Sequence, residues 1–196
     1  MCGLSDRYLD ASAAIDAANG ADPNVVIVRG ASYPLALAHG TFAAEWVHRL
    51  HPAPSELLLL AAQAHHLRRW EVARRSYPQG KAGYLRWKRD QRLRHAADVA
   101  ELLANQGYSA EEIGQVQRWV RRDQLATDPG SQTVEDAACL VFIETQLAEV
   151  ATKLDHDRLL DVLRKTARKM SPPALALVDR IPLDAPERAL LDAALG

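Results

Sequence analysis

The chain is short of several things, and each shortage narrows what it can be. It has only two cysteines in 196 residues, Cys2 and Cys139. One is terminal and the other sits in an apolar helical pattern. Neither a disulfide framework nor a cysteine zinc site is expected, and a reducing cytoplasm is the expected setting. No apolar run approaches the ~20 residues that a membrane helix needs, so no membrane association is expected. Charge of either sign is not in excess: 24 Lys and Arg face 25 Asp and Glu. No global field therefore points to nucleic acid. The stretch Met1 to Asp6 lacks the basic region and apolar core of a secretory signal. There is no internal repeat and no low-complexity tract. Val25 to Val28 is the only strand-like run, and it is too short to define a sheet.

What remains is helix. Apolar residues make up 48% and charged residues 25%, ordinary values for one globular domain spanning residues 1–196. Tyr8, Ala11, Ile15 and Ala18 recur at helical spacing over 5–18, and Asn19-Gly20 ends that helix. A second helix runs from Tyr33 or Pro34 to Leu50. Pro52 and Pro54 break the chain, and Ser55 is placed to cap a third helix that carries His65 and His66. Residues 70–83 read as an irregular loop, followed by a long helix from about Tyr84 to Asn105 that stops at Gly107. Ser109 and Glu112 have capping-box spacing and open a fifth helix over 109–124. Asp128-Pro129-Gly130 reads as a turn, and Thr133 as the cap of a sixth helix reaching Lys153. Helices over 157–169, 174–179 and 185–194 finish the chain. The reading is all-α, a single compact domain with eight or nine helices and short links.

Polar groups with catalytic or ligand chemistry fall on the apolar faces of these helices. His65 and His66 are surrounded by Leu57 to Leu60, Ala61, Ala62 and Leu67. His39 shares a face with Leu35, Phe42 and Trp46. His95 shares one with Gln91, Val99 and Leu102. Asp136 lies among Leu140, Ile143 and Leu147. Glu135 and Glu144 also face apolar neighbours. Buried groups of this kind need partners. They are either separate core histidines and acid–arginine pairs, or they converge on one centre. Imidazole with carboxylate oxygen would suit zinc, iron, nickel or manganese rather than calcium.

The order His39-Gly40, then His65-His66, then His95 to Gly107-Tyr108, then Asp136 resembles the HD superfamily of metal-dependent phosphohydrolases. The resemblance implies an HD-like core over about 30–170, followed by short C-terminal helices. It implies metal ligands at His39, His66, His95 and Asp136, with His65 as an additional candidate. The departure is His66, which stands where the family has Asp. A second resemblance covers about residues 30–175. His66-Leu67-Arg68-Arg69-Trp70, Ser76-Tyr77-Pro78, Gly83-Tyr84-Leu85-Arg86-Trp87, Gln132 with Glu135-Asp136, and Arg168-Lys169-Met170-Ser171-Pro172 are similar to an uncharacterised domain-of-unknown-function family of bacteria and fungi. Members of that family often have Gln-His in place of His65-His66, which makes His66 the firmer site residue.

A basic and aromatic band lies beside the histidine pair. From Arg68 to Arg94 ten cations are opposed only by Glu71 and Asp90. Arg69, Arg74, Arg75 and Lys81, with Tyr77 and Trp87, are the candidate binders of an anionic small molecule, because arginine forks match phosphate and carboxylate. The bland alternative is a solvated face with packed tryptophans. Glu135 and Glu144 are the candidate general bases. The expected function is a metal-dependent hydrolase of HD-like type acting on a phosphate-bearing or other anionic small molecule. The alternative is a non-catalytic HD-like module that binds an anionic ligand, nucleotide or RNA. Nucleic acid is the less favoured partner, and a homodimer is compatible with the sequence.

Overall fold

A computed structural model describes residues 4–196; Cys2 lies outside the described residues. Nine α-helices occur among them: α1 (Asp6–Gly20), α2 (Leu35–Leu50), α3 (Glu56–Gln63), α4 (Gly80–Asn105), α5 (Ala110–Arg121), α6 (Pro129–Lys153), α7 (His156–Ala167), α8 (Pro172–Leu177) and α9 (Ala185–Leu195). The Val25–Val28 run is strand β1, paired antiparallel with β2 (Ala31–Pro34) in a two-stranded hairpin. The all-α reading holds, with this hairpin as its one addition. Helix α2 is central and packs against α1, α3 and α6, while α4 packs on α5. Trp46, Leu59, Leu60, Leu67, Leu103, Leu140 and Leu147 form the inaccessible core between them.

Local chemistry sets the helix ends. Ser5, Ser55, Asp155 and Ser171 each accept a backbone N–H of the helix they precede, satisfying donors that the first turn leaves free. Ser109 and Glu112 form the expected capping box. Helix α6 begins four residues before the expected Thr133. The Asp128 carboxylate accepts from the N–H groups of Gly130 and Ser131, and Pro129 takes the first helical position. Asp128-Pro129 is thus a helix start, where a missing N–H costs nothing. Helix α4 likewise starts at Gly80 rather than Tyr84.

The main difference lies at the histidine pair. Helix α3 ends at Gln63, and residues 64–68 form a chain of tight turns. The N–H groups of His65, Leu67 and Arg69 each bond the carbonyl three residues back. Arg68 adopts a left-handed conformation with φ 50°, and its N–H donates to the Asn19 side chain. The unwinding has a geometric consequence. Adjacent residues on an α-helix do not face each other, so two neighbouring imidazoles on an intact helix would diverge. Here their rings are 4.1 Å apart.

Gly40 permits the other half of the arrangement. A Cβ at this position would lie 2.7 Å from the carbonyl oxygen of Gln63. That approach lets α2 carry His39 against the end of α3. Overpacking of this kind costs about 1–3 kcal/mol. Gly40→Ala is therefore expected to lower the melting temperature by several degrees. An unchanged thermal melt would mean that the two helices can part without penalty.

Candidate metal centre

Four imidazoles meet at the centre of the fold. His39 comes from α2, His65 and His66 from the turns after α3, and His95 from α4. The His39 and His66 ring centroids are 5.0 Å apart, and those of His66 and His95 are 6.0 Å apart. One nitrogen each of His39, His65 and His66 lies within 4.8 Å of the others. His39, His65 and His95 are buried, and His66 keeps a partly exposed edge.

The hydrogen bonds assign the protons. Thr145 Oγ donates to the Val141 carbonyl at 2.7 Å, so toward His39 Nε2, 3.2 Å away, it can only accept. His39 therefore carries its proton on Nε2 and presents a bare Nδ1. His65 Nδ1 lies 2.7 Å from the Ala62 carbonyl and His95 Nδ1 lies 2.6 Å from the Leu67 carbonyl. A carbonyl can only accept, so both carry the proton on Nδ1 and present a bare Nε2. Both Nε2 atoms are buried with no hydrogen-bond partner among the described residues. Two buried lone pairs without partners are unusual in a folded protein.

As metal ligands these imidazoles would need no deprotonation. Burial, followed by the Arg69 charge, pushes His39 and His95 down to about 3. Burial also holds His65 and His66 well below the usual imidazole range. All four are neutral near pH 7, the state that binds metal. His39 Nδ1 and His66 Nδ1 are 2.8 Å apart. Such a contact needs either a proton from His66 or a cation between the two atoms. Ligands at ~2.0–2.1 Å from one ion are separated by about 2.9–3.4 Å, so the pair is already near a chelating distance. The N–H groups that His39, His65 and His95 donate to Thr145 Oγ and to the Ala62 and Leu67 carbonyls are the kind of second contact that fixes a ligating imidazole.

A cleft of about 610 Å³ opens over His39 and His66. Trp70, Trp87, Arg69 and Arg75 line it, with Asn24 and Gln146 on other sides. The Arg69 guanidinium stacks on the Trp87 ring at 4.5 Å. It makes no ion pair among the described residues. Burial pushes Arg69 down to about 10, which leaves it fully charged at neutral pH. Trp87 is itself fixed by an N–H bond to the Val72 carbonyl at 3.0 Å.

Other residues expected at the site are engaged with partners of their own. Asp136 is outside the imidazole group. Its carboxylate accepts from Ser171 N–H at 2.8 Å, Ser171 Oγ at 2.6 Å and Gln132 at 2.9 Å, and so anchors α8. Glu144 accepts from Arg29 at 2.7 Å and from Trp46 at 2.8 Å. Glu135 is surrounded by Arg92, Arg122 and Lys169. Arg74 touches the cleft but donates to the carbonyls of Tyr77, Pro78 and Gly80, bracing the loop. The Tyr77 hydroxyl donates to Asp90, and neither Tyr77 nor Lys81 lines the cleft. Thr145 and Asn19 were not legible as site residues. A threonine in mid-helix and an asparagine at a helix end carry no pattern that separates them from ordinary packing.

No curated protein and no solved structure matches the chain. A family model does match, over residues 9–191, and takes in the four histidines, the cationic loop and all of the helices between them. The chain belongs to the family described as Domain of unknown function (DUF4202).

Proposed function

We propose that the protein is a metal-dependent hydrolase of HD-like type, acting on a phosphate-bearing or otherwise anionic small molecule. One observation carries the reading. Three neutral imidazoles place nitrogens within 4.8 Å of one another, beneath a cleft whose wall holds Arg69, which has no acidic partner among the described residues. Nitrogen ligands of this kind suit zinc, iron, nickel or manganese. His39, His65 and His66 would hold the ion, and His95 lies within reach of His66. A divalent ion there supplies Lewis acidity and activates water.

The protein's own groups would do the rest. Arg69, locked on Trp87, would take one anionic oxygen of the substrate in a charge-assisted bond. Arg75 at the rim would add a second positive charge. Trp70 and Trp87 would cover the apolar part of the ligand. The set lacks both carboxylate ligands of the HD pattern, since His66 replaces one Asp and the Asp136 carboxylate is bonded to Ser171 and Gln132 instead. Neutral ligands leave the full charge of the ion facing the substrate, and an anionic substrate would complement it.

A second reading, a module that binds the same anion without turning it over, draws on one feature. Among the described residues the only carboxylate lining the cleft is Asp22, and it already accepts from Asn24 and from the Ala36 N–H. Among the described residues no free carboxylate base lines the cleft. The two readings separate in one set of measurements. Protein purified without chelators should contain about one transition-metal ion per chain by mass spectrometry. It should hydrolyse phosphomonoesters or diphosphates only when metal-loaded. Binding of phosphate without turnover would select the module. A metal-free protein with a melting curve unaffected by added metal would sink the hydrolase, and a failure to bind phosphate as well would sink the module.

A further inference from the structure

Glu135 on α6 is one carboxylate among many cations. Arg92 from α4 approaches it at 3.4 Å, Arg122 from the end of α5 at 3.2 Å, and Lys169 from beyond α7 at 3.6 Å. All three distances exceed the ~2.7–2.9 Å of a well-formed charge-assisted bond, because three cations divide two oxygens. Lys88 lies one helical turn before Arg92 and adds a fourth cation. It has no carboxylate partner among the described residues, only the Tyr84 ring face at 5.5 Å.

This surplus opens onto a pocket. Lys88 and Arg92 line a cavity of about 270 Å³, walled by Leu85 and Leu93. The two leucines are 53% and 52% exposed, so they set apolar surface beside the two cations. Arg89, Arg121 and Asp123 complete the lining, and Arg89 is paired with Asp90 and Arg121 with Asp123, so the one lining carboxylate is already neutralised. The pocket shares no lining residue with the histidine cleft. Burial, with the charges of Lys169 and Arg92, pushes the Lys88 ammonium down to about 8. Burial likewise pushes Arg122 down to about 10. Both groups are held in an environment that disfavours their charge.

We infer that this pocket is a second anion site, in which Lys88 and Arg92 bind a phosphoryl group or similar oxyanion between Leu85 and Leu93. A compact oxyanion fits the chemistry better than a polypeptide carboxylate. It accepts the arginine fork and the lysine point charge together, and the small volume suits a single tetrahedral group with an apolar substituent. The site does not depend on the presence of a metal, nor on the hydrolase reading.

Leucine methyl resonances test it directly, because Leu85 and Leu93 report on this pocket and Leu35 on the histidine cleft. Inorganic phosphate is titrated against chloride at matched ionic strength. The expected result is a saturable shift at Leu85 and Leu93. Phenyl phosphate should saturate at lower concentration if the leucines hold an organic group. Lys88→Gln should weaken the response at least tenfold, leave the Leu35 response unchanged, and not lower the melting temperature in phosphate-free buffer. A linear drift at Leu85 and Leu93, shifts confined to Leu35, or an equal response in Lys88→Gln would each overturn the inference.

Discussion

His66→Ala is expected to weaken binding of a divalent transition metal by more than about a hundredfold. Loss of a group that merely orients a ligand costs about 10–100-fold, and loss of a ligand itself should cost more. Thr145→Val supplies the comparison. It deletes the acceptor of the His39 Nε2 proton and frees His39 to place that proton on the nitrogen that faces His66. A loss of about 10–100-fold is expected there. Stability separates a ligand from a core histidine. A site filled to 100–1,000 times its dissociation constant stabilises the fold by about 2.7–4.1 kcal/mol. His66→Ala should melt like the chelated wild-type protein, whether or not metal is added. If it instead melted well below the chelated wild type and kept its metal, His66 would be a packing residue and the ligand assignment would fail.

The helical architecture was legible because its signals are local. Apolar spacing, the Ser55 and Ser109 caps and the Gly107 stop depend on a few neighbouring residues, and each is found where the pattern put it. The hairpin was half legible, since β1 reads as a strand while its partner, Ala-Ser-Tyr-Pro, carries no strand signature. Asp128-Pro129-Gly130 shows how one motif serves two structures: it contains a turn signal, and also an N-cap followed by proline at the first helical position. Which of them is realised depends on packing downstream.

The candidate site was legible in its imidazoles and not in its acids. An inward-facing histidine on an apolar helix can be recognised from periodicity, and His39, His65, His66 and His95 all reach one centre. The same argument applied to Asp136, Glu135 and Glu144 shows only that they are buried. It cannot say which partner each has, and apart from Gln132, four residues before Asp136, those partners lie 35, 13 or more and 98 or more residues away in the chain. The unwinding at His65-His66 was hidden for a related reason. It rests on the Asn19 side chain, 49 residues before Arg68, and on a positive φ at an arginine that no propensity scale would favour.

The cationic band divides in the same way. Arg74 was expected to clamp a ligand and spends its donors on loop carbonyls. That bracing gives the loop a fixed shape, and Gln91 adds to it with bonds to the carbonyls of Arg69 and Val72. Arg69 is thereby held in a set position before any ligand arrives, which reduces the ordering cost of binding. The arginines of the band thus differ in kind: one shapes the loop and another is left over for the cleft.

Glu135→Gln is expected to cost about 3–5 kcal/mol of folding stability, the usual result of breaking a buried ion pair from one side. The exchange keeps the shape and removes the charge. Arg122 has a side chain only 4% exposed, and its remaining bond is to the Val120 carbonyl at 2.6 Å. It would be left as a buried cation beside Arg92 and Lys169 with nothing to neutralise it. Those two are 35% and 42% exposed and can turn toward water, whereas Arg122 cannot. Adding Arg122→Met should therefore recover a large part of the loss, since an apolar side chain of similar length needs no partner. The pH dependence has a definite sign. Burial alone would raise the Glu135 carboxyl, but the charges of Arg122, Arg92, Lys169 and Lys88 outweigh it and hold it below the usual glutamate range. A depressed folded value means that the stabilisation is complete above the unfolded pKa of about 4.3 and is lost as pH falls through the folded value. In urea denaturation, wild type and Glu135→Gln should differ most at neutral pH and converge below about pH 4. A difference under ~1 kcal/mol at pH 7 would mean that water already reaches Arg122, and the buried-pair account would be wrong.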